Sequence, residues 1–347
     1  MTGGEPIEVE ADPRCAFCGG IGAVLYEGLR DGLFNAPGVW NIRNCRGCGL
    51  IWLDPQPTAN GIGKIYGTYH THQAARSGRA PRFSSLRAKL DGAVLSQCYG
   101  YRLENGNDGF NPLWKILCRP SFVRDIFGIP MMGLNASWRG RLLDVGCGNG
   151  AFLAKMRRLG WETVGVELDE KAANVAKTEF GMEVFIGSLD SAGFADESFD
   201  AITLSHVLEH VGQPTELFRQ CRRLLRKGGR IVVTTPNAES LGHRLFKADW
   251  RGLEVPRHLK VFSFRALARC AAEAGLSTAV LRTSARGAHA LYLESRLLKA
   301  GEWTADAWLR AGARLKLESV LFQILEEIVR TMWKSAGEEL YFEGIKH

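Results

Sequence analysis

Residues 138–284 alternate short apolar runs with amphipathic segments, and this alternation limits the fold more than any other feature. The apolar runs predict strands at 141–145, 163–167, 183–186, 201–205, 230–235 and 277–282. The segments between them predict helices at 151–159, 170–180, 214–226 and 264–274. Gly181, Gly228 and Gly275 stand where left-handed helix ends belong, and Ser263 is a candidate N-cap. Such alternating units predict a mainly parallel, doubly wound sheet with helices on both faces.

The C-terminal part adds a helical region and one more strand. EELYFEGI (338–345) alternates as a strand does, and we expect it to return to the sheet antiparallel to its neighbours. Residues 287–336 would then be a helical insertion before this last strand. The apolar residues of LESVLFQILEEIVRTMW (317–333) recur at helical spacing, which indicates core or homodimer packing, a membrane-surface role or a substrate lid. The expected class is therefore α/β, with a Rossmann-like, seven-stranded sheet.

The composition of the 347 residues excludes several classes of protein. Apolar residues make up 46%, which is enough for a sizeable core. No apolar run has the length of about 18 residues that a membrane span needs. The acidic N-terminus contains no hydrophobic segment of the kind found in signal peptides. Nine cysteines without an export signal argue against a disulfide framework. We therefore expect a cytoplasmic protein.

Two cysteine hooks near the N-terminus predict a metal site. Cys15-x-x-Cys18-Gly and Cys45-x-x-Cys48-Gly each present two thiolates to one ion, and the glycine relieves the turn. Four thiolates enclose Zn²⁺ in a tetrahedral, structural site, with rubredoxin-like iron or a redox pair as alternatives. In so short a segment the metal would supply much of the folding free energy. The remaining cysteines lack ligand spacing and are expected to be buried or incidental: Cys98, Cys118, Cys147, Cys221 and Cys270.

RLLDVGCGNGAFLAKM (141–156) joins a predicted strand to a helix through a glycine-rich turn. Glycines here allow positive φ and close approach of a ligand, which NAD, FAD and S-adenosylmethionine sites all require. Asp144 places a carboxylate at the strand end, where it would repel a pyrophosphate but not a cationic amino-acid group. Glu167, at the end of the second strand, is suited to accept both hydroxyls of a ribose.

Together with GSLDSAGFADESFDAITLSHVLEHV (187–211) and LLRKGGRIVVTTPN (224–237), these features resemble the class I S-adenosylmethionine-dependent methyltransferases over 138–284. The resemblance implies that Asp144 and the glycines hold the methionine end, that Glu167 binds the ribose, and that Ser188 and Leu189 flank the adenine. Many relatives carry Asp where Ser188 stands. The cofactor-binding set it implies is Asp144, Gly146, Cys147, Gly148, Gly150, Glu167, Leu168, Ser188, Leu189 and Ser205.

The whole chain also resembles a bacterial subgroup in which a zinc ribbon precedes the methyltransferase domain. The stretches that carry this resemblance are CGLIWLDPQPT (48–58), IYGTYHTH (65–72) and EVPRHLKVFS (254–263). Members are associated with surface-polysaccharide or secondary-metabolite pathways, which implies a small sugar-like or metabolite acceptor methylated at oxygen or carbon. The expected organisation is a ribbon at 12–53, a linking, substrate-shaping region at 54–137 and the methyltransferase domain at 138–347.

Methyl transfer to a hydroxyl or carbon acid needs a base, and histidine suits this near neutral pH. LSHVLEHV (204–211) supplies His206 and His210 just past the fourth strand, and the loop after the fifth strand supplies Arg257 and His258. We expect His206 or His258 to be the base, and Arg257 to orient the acceptor with Trp250. His210 completes the candidate catalytic set, with a structural role as its alternative.

Binding of a divalent ion is a more specific alternative role for the histidines of the same segment. In the ubiquinone-pathway O-methyltransferases a similar E-x-x-E-H element binds such an ion. Here His206 replaces the first glutamate. With Glu209, His210 and His258 the element would form a His/carboxylate site that favours a transition metal.

An RNA acceptor is the second hypothesis for function, because the net charge is +7 and some ribosomal RNA methyltransferases carry an N-terminal zinc module. Its best support is a set of arginines around Phe83, namely Arg76, Arg79, Arg82 and Arg87. RQCRRLLRKGGR (219–230) is instead expected to form a solvated helix face at the rim opposite the ligands.

A non-catalytic cofactor-binding partner is a third hypothesis for function. Tyr69, His70 and His72 are a further candidate for substrate contact, or a plain surface loop.

Overall fold

The computed structural model describes residues 7–65, 85–102, 125, 129–304 and 306–347. Its strands are β1 (Val9–Glu10), β2 (Ala23–Leu29), β3 (Trp40–Asn44), β4 (Ile51–Leu53), β5 (Gln56–Pro57), β6 (Arg141–Val145), β7 (Glu162–Glu167), β8 (Glu183–Ile186), β9 (Phe199–Ser205), β10 (Leu225–Pro236), β11 (Lys260–Val261), β12 (Ser277–Ser284) and β13 (Glu339–Ile345). Its helices are α1 (Ala59–Ile65), α2 (Ser85–Tyr99), α3 (Ala151–Arg158), α4 (Glu170–Phe180), α5 (Pro214–Leu224), α6 (Leu241–Phe246), α7 (Phe264–Glu273), α8 (Ala288–Ala300), α9 (Ala307–Arg310) and α10 (Ala313–Met332). Single turns of 3₁₀ helix lie at Ile129–Met131, Ala136–Trp138, Leu208–His210, Lys247–Asp249 and Arg251–Leu253.

The central sheet has seven strands in the order β12-β13-β10-β9-β6-β7-β8. β13 runs antiparallel to both of its neighbours, and the other pairings are parallel. After β6 the chain adds β7 and β8 on one side of the sheet, and after β9 it adds β10 on the other side. The strand order therefore reverses between β6 and β9. Ligands of open α/β sheets bind outside the carboxyl ends of the strands at such a point. The predicted fold class is confirmed.

Caps predicted from the sequence explain three of the helix ends. Gly181 and Gly275 follow α4 and α7 with φ of 60° and 75°, and the Ser263 hydroxyl accepts a hydrogen bond from the Ala266 amide at 3.1 Å, as predicted. Gly228 was wrongly expected to cap α5, which already ends at Leu224. The chain enters β10 directly, and Gly228 lies in an irregularity of that strand, where its amide donates to the Lys346 carbonyl at 2.7 Å.

The N-terminal strands form a second, smaller sheet with the order β11-β4-β3-β2. Each cysteine hook closes through its glycine: the Gly19 amide donates to the Cys15 carbonyl at 2.9 Å, and the Gly49 amide to the Cys45 carbonyl at 2.8 Å. Both glycines have φ near +70° (70° and 73°), a conformation that other residues rarely adopt. β11 comes from the loop after β10, so this sheet includes a strand from far beyond residue 53.

The N-terminal sheet packs directly on the large domain. The Phe17 ring lies 6.1 Å from the Phe262 ring, centroid to centroid, and both belong to the core that the main sheet builds. The Ser263 hydroxyl, which caps α7, also donates to the Cys48 carbonyl. The hooks, the end of β11 and the start of α7 are therefore one packed unit.

The helical insertion before β13 packs through one side of α10. The Phe322 ring of α10 lies 4.9 Å from the Tyr292 ring of α8, and Ser319, Glu326 and Arg330 are also buried on this side. The opposite side carries exposed apolar side chains, namely Leu317, Val320, Leu321, Ile324, Leu325, Ile328 and Met332. Among the described helices none is both long and apolar enough to cross a membrane.

The cysteines outside the hooks differ in state. Cys147, Cys221 and Cys270 are free and buried, as expected. Cys98 on α2 is instead part of a disulfide, which the argument from cysteine usage did not anticipate. Cys118 lies outside the described residues.

Candidate active site

A cavity of about 490 Å³ opens at the carboxyl end of β6, where the strand order reverses. It is lined by Pro130, Met132, Asp144, Gly146, Cys147, Gly148, Asn149, Ala151, Phe152, Lys155, Ser205 and Arg286. Five of the ten predicted cofactor residues are in this lining. The cavity therefore lies where the glycine-rich turn predicts a ligand.

The glycines of the turn serve different purposes. A Cβ on Gly146 would lie 2.5 Å from a methyl of Val207, and one on Gly150 would lie 2.6 Å from the Ala176 Cβ on α4. A Cβ on Gly148 would meet nothing within 4 Å. Gly146 and Gly150 thus permit close packing within the protein, whereas Gly148 leaves its backbone open toward a ligand.

Asp144 is the buried acid of this cavity. Its side chain accepts a hydrogen bond from the Thr203 hydroxyl at 2.6 Å, and the residue is 4% exposed. Burial raises the pKa of Asp144 to about 7, although the Thr203 hydrogen bond opposes the shift. A cationic group placed in the cavity would favour the charged carboxylate.

Glu167 closes the turn from the end of β7. Its carboxylate accepts from the Gly148 amide at 2.8 Å and from the Asp169 amide at 2.9 Å. The two oxygens retain lone pairs for further donors, since a carboxylate offers about four acceptor positions. Ser188 bonds to the Ser191 hydroxyl at 3.0 Å, Leu189 is buried in the core, and Leu168 is exposed.

Several lining residues were not found from the sequence. Pro130 and Met132 come from the linking region, Lys155 from α3 and Arg286 from the turn before α8. Only Lys155 carried a local signal, because it lies one helical turn beyond Ala151. The others reach the cavity through tertiary packing.

A second cavity has a volume of about 240 Å³. Ser205 lines the larger cavity and the next residue, His206, lines the smaller one. The lining of the smaller cavity is His206, Glu209, His210, Pro236, Arg251, Gly252, Glu254, His258, Leu291, Glu294, Glu338 and Glu339. Three of the four predicted catalytic residues meet in it.

His206 is held between two carboxylates. Its Nδ1 lies 3.2 Å from Glu209 and its Nε2 lies 2.9 Å from Glu339. Partial removal from water lowers the pKa of His206, whose side chain is 44% exposed, but the hydrogen bonds and charges of these two glutamates outweigh it and raise the pKa to about 10. Its φ of 54° is left-handed, an unfavourable conformation for a residue with a Cβ. His206 is therefore an imidazolium at neutral pH.

His258 is in the opposite state. Its Nδ1 lies 2.7 Å from the Gly252 carbonyl, which can only accept, so Nδ1 carries the proton. Burial lowers the pKa of His258 to about 4, and the ring is neutral with Nε2 as a proton acceptor. The His210 ring lies 4.8 Å away, centroid to centroid, and its Nδ1 donates to the Arg257 carbonyl at 3.1 Å.

Arg257 and Trp250, which we expected to orient the acceptor, are buried in the protein instead. The Arg257 guanidinium contacts Asp31 of the N-terminal sheet through two hydrogen bonds of 2.8 and 2.9 Å, and Glu254 at 3.1 Å. The Trp250 indole donates to Glu338 at 2.9 Å. Both hold the loop that carries His258.

Among the residues that the structure describes, two clusters have the donor sets of metal sites. Four sulfur atoms, from Cys15, Cys18, Cys45 and Cys48, lie within 4.8 Å of one another. With Zn–S bonds of 2.3 Å, tetrahedral zinc needs sulfurs roughly 3.8 Å apart, so the set fits Zn²⁺.

The second cluster is Glu209, His210 and His258, whose ligand atoms also lie within 4.8 Å of one another. Both histidines donate Nδ1–H to backbone carbonyls, as metal-bound imidazoles usually do. His206 is turned toward Glu339 and lies outside this set. The other predicted contacts, Tyr69, His70, His72, Arg76, Arg79, Arg82 and Phe83, lie outside the described residues, and the structure does not describe the Arg87 side chain.

Comparisons with known proteins agree with this fold. A family model described as a methyltransferase domain matches residues 128–279. A ubiquinone biosynthesis O-methyltransferase of Xanthomonas oryzae pv. oryzae (strain PXO99A) is 38% identical over 104 residues, 28% of this chain and 43% of that protein. One from Caulobacter sp. (strain K31) is 34% identical over 183 residues, 44% of this chain and 68% of that protein. A solved S-adenosylmethionine-dependent methyltransferase from Archaeoglobus fulgidus is 19% identical, with a TM-score of 0.42, over 67% of this chain and 99% of that one.

The chain belongs to the class I S-adenosylmethionine-dependent methyltransferases. The chain spans 43% of the length of the Xanthomonas relative.

We expect cofactor binding to depend on the charge of Asp144. Because its pKa is about 7 in the free protein, binding a cationic amino group must release a proton below that pH. Affinity should therefore rise between about pH 5.5 and 7.5, as linkage requires. Asp144→Asn should weaken cofactor binding by about ten- to a hundredfold, which is the usual effect of losing a hydrogen bond to a charged group. The variant's affinity should also depend little on pH. Titration calorimetry with S-adenosylmethionine measures both. The control is Asp196→Asn at the opposite rim, and a pH-independent wild type would contradict the assignment.

Proposed function

We propose that the protein transfers a methyl group from S-adenosylmethionine to an oxygen or carbon atom of a small molecule. The observation that carries this proposal is that two consecutive residues at the end of β9, Ser205 and His206, line two different cavities. The larger one would hold the cofactor and the smaller one the acceptor. The names of the ubiquinone-pathway relatives support a small acceptor methylated at oxygen.

The roles within the cofactor cavity follow from its chemistry. Asp144 would hold the cationic amino group, and the open backbone of Gly148 would approach the ligand. Glu167 is not in the cavity lining but accepts from the Gly148 amide, and it would bind the ribose hydroxyls. Leu189 and Ser188 would flank the adenine. When bound, S-adenosylmethionine supplies an electrophilic methyl group, and the protein has to position the acceptor and remove its proton.

We assign proton removal to His258. Its neutral ring has Nε2 available as an acceptor and faces the second cavity. Nε2 would take the acceptor's hydroxyl proton, and Glu254, 3.5 Å from Nε2, would stabilise the imidazolium that forms. His206 already carries its proton and would instead contribute positive charge. Arg257 and Trp250 would act through the loop that they hold.

The same three side chains, Glu209, His210 and His258, would hold a divalent ion if the protein uses one. That ion would polarise the acceptor oxygen, and His258 would then be a ligand. An added divalent ion separates the two mechanisms in protein that keeps its zinc, because proton removal by His258 alone does not need that ion.

An RNA acceptor is less well supported. Each arginine of the 219–230 cluster is already bonded within the protein: Arg219 to Glu216, Arg222 to the Gly275 carbonyl, Arg223 to Asp196, Arg226 to Asp200 and Arg230 to Glu343. The cluster also lies at the rim of the sheet away from the cavities. For the domain organisation we propose a zinc ribbon at 12–53, a linking region at 54–137 and a catalytic domain at 138–347.

We expect methyl label from S-adenosylmethionine to enter small molecules. The purified protein is incubated with labelled cofactor and either total RNA or a nuclease-treated extract of metabolites and surface glycans. Label in the second pool alone is the expected result, and label in RNA would contradict the proposal. A protein that binds cofactor and labels neither pool would be a non-catalytic partner.

His258→Asn tests the base in the same assay. The asparagine amide can keep the hydrogen bond to the Gly252 carbonyl while Nε2 is lost. Turnover should fall by about 10²–10⁴, the usual contribution of a general base, with cofactor affinity unchanged. The control is His289→Asn, because His289 contacts Gln323 and is in neither cavity lining, and this variant should keep the wild-type turnover. A loss of less than about tenfold for His258→Asn would show that another group removes the proton.

We also propose that α10 pairs with a second copy of the chain. Its exposed stripe is self-complementary, because two antiparallel copies would place Leu321 against Ile324 and Leu317 against Ile328. The buried side of the same helix is already packed on α8, so the stripe is a separate surface.

Leu321→Glu should therefore halve the molar mass measured by light scattering, since it places a charge in the centre of the stripe. Leu245→Glu, an equally exposed leucine on α6, should leave the mass unchanged. A wild type that is monomeric at micromolar concentration would disprove the pairing.

A further inference from the structure

The larger cavity, which we propose for the cofactor, is lined by charged side chains of both signs. Among the described residues of its lining, the one carboxylate is that of Asp144, and the two cations are Lys155 and Arg286. The amino-acid group of S-adenosylmethionine is itself zwitterionic, with an ammonium and a carboxylate on the same carbon. Asp144 suits the ammonium, so a cation of the same lining is the expected partner of the carboxylate.

Arg286 is the cation whose hydrogen-bonding groups are unused by the protein. The Lys155 ammonium lies 3.5 Å from the Pro130 carbonyl. The half-buried Arg286 guanidinium, in contrast, has no hydrogen bond, ion pair or ring contact to any other described residue. A guanidinium presents five N–H donors in a planar fork that matches the two oxygens of a carboxylate. Arg286 therefore brings both a charge and a set of donors to the cavity lining.

The fold fixes the backbone from which this side chain extends. Arg286 lies just past the end of β12, and β12 and β10 run in the same direction because both pair antiparallel with β13. The end of β12 is therefore at the rim where β6 and β9 also end. The Arg286 amide donates to the hydroxyl of the fully buried Ser284 at 3.0 Å. The backbone is thus anchored, whereas the guanidinium is left for a ligand.

The helix that follows Arg286 reaches the smaller cavity, which we propose for the acceptor. Leu291 and Glu294 of α8 both line that cavity. The Leu291 amide donates to the Gly287 carbonyl at 3.1 Å, so the helix is continuous with the turn that carries Arg286. Glu294 lies about two helical turns beyond Gly287, and it contacts Arg251 at 2.9 Å. A ligand bound to Arg286 would therefore hold the start of a helix that forms part of the acceptor cavity.

We propose that Arg286 binds the carboxylate of S-adenosylmethionine and thereby couples cofactor binding to α8 and the acceptor cavity. This inference rests on the proposed function, to which it adds a cofactor-binding residue and a link between the two cavities. Asp144 and Arg286 hold the two charges of one zwitterionic group, and Lys155 adds positive charge to the same lining. Because coupling between two sites is reciprocal, a cofactor that orders α8 raises the affinity for the acceptor, and the acceptor raises the affinity for the cofactor.

The first test compares S-adenosylmethionine with decarboxylated S-adenosylmethionine by titration calorimetry, since the two ligands differ only in the carboxylate. The wild type should bind the decarboxylated ligand about tenfold or more weakly, as for loss of a hydrogen bond to a charged group. Arg286→Gln should weaken binding of S-adenosylmethionine by about tenfold or more and leave binding of the decarboxylated ligand unchanged. Lys155 is present in both proteins, so the difference isolates Arg286. The control is Arg296→Gln, an exposed position of α8 outside both linings, which should bind both ligands as the wild type does.

The wild-type comparison does not depend on the folding of a variant. Equal affinity of the wild type for the two ligands would overturn the inference and leave methyl transfer to small molecules standing. An Arg286→Gln variant that weakens both ligands equally would also overturn it, because the guanidinium would then contact another part of the cofactor. A variant with wild-type cofactor affinity and a raised KM for the acceptor would overturn it in favour of an anionic acceptor. A wild type that does not bind S-adenosylmethionine contradicts the proposed function itself.

Amide hydrogen exchange tests the link to α8. S-adenosylhomocysteine, which carries the same amino-acid group, should slow the exchange of amides 288–295 by about fivefold or more, the lower end of usual coupling between sites. Methylthioadenosine lacks that group and should protect amides 141–151 but not α8. The Arg286→Gln variant should lose the protection of α8 by S-adenosylhomocysteine. Equal protection of α8 by both nucleosides in the wild type would overturn the coupling.

Discussion

One buried ion pair connects the N-terminal sheet to the chemistry of the large domain. Asp31 and Arg257 are joined by two hydrogen bonds, and both side chains are fully buried. Removing one partner of such a pair leaves an uncompensated charge and costs about 3–5 kcal/mol. The loop that carries Arg257 and His258 also supplies β11 to the N-terminal sheet. The cysteine hooks, which we propose to hold zinc, therefore support the acceptor side of the site.

The two candidate bases differ because their surroundings differ. His206 lies between two carboxylates and is charged, whereas His258 is deeply buried, donates to a carbonyl and is neutral. Two histidines of equal intrinsic pKa thus take opposite protonation states, and only one can accept a proton.

The sequence predicted the structural features that depend on residues close together along the chain. The strand and helix order, the caps at Gly181 and Ser263, the glycine-rich turn and the cysteine hooks all follow from local spacing. Contacts between distant residues could not be predicted in this way. Arg257 was assigned to the acceptor from its place on a loop, but its partner Asp31 lies 226 positions away. The Glu339 contact to His206 spans 133 positions, and Arg286 reaches the cofactor cavity only through packing.

The most direct test of whether the N-terminal sheet holds the loop at 251–261 is amide hydrogen exchange, measured before and after a chelator removes the metal. The protein is first shown to contain one zinc per chain. On chelation, amides of residues 251–261 should exchange faster by on the order of tenfold or more, because the loop loses its strand partner and its ion pair. Amides of 141–151, at the cofactor cavity, should keep their protection. Unchanged protection at 251–261 after complete loss of zinc would contradict the claim that the N-terminal sheet holds this loop.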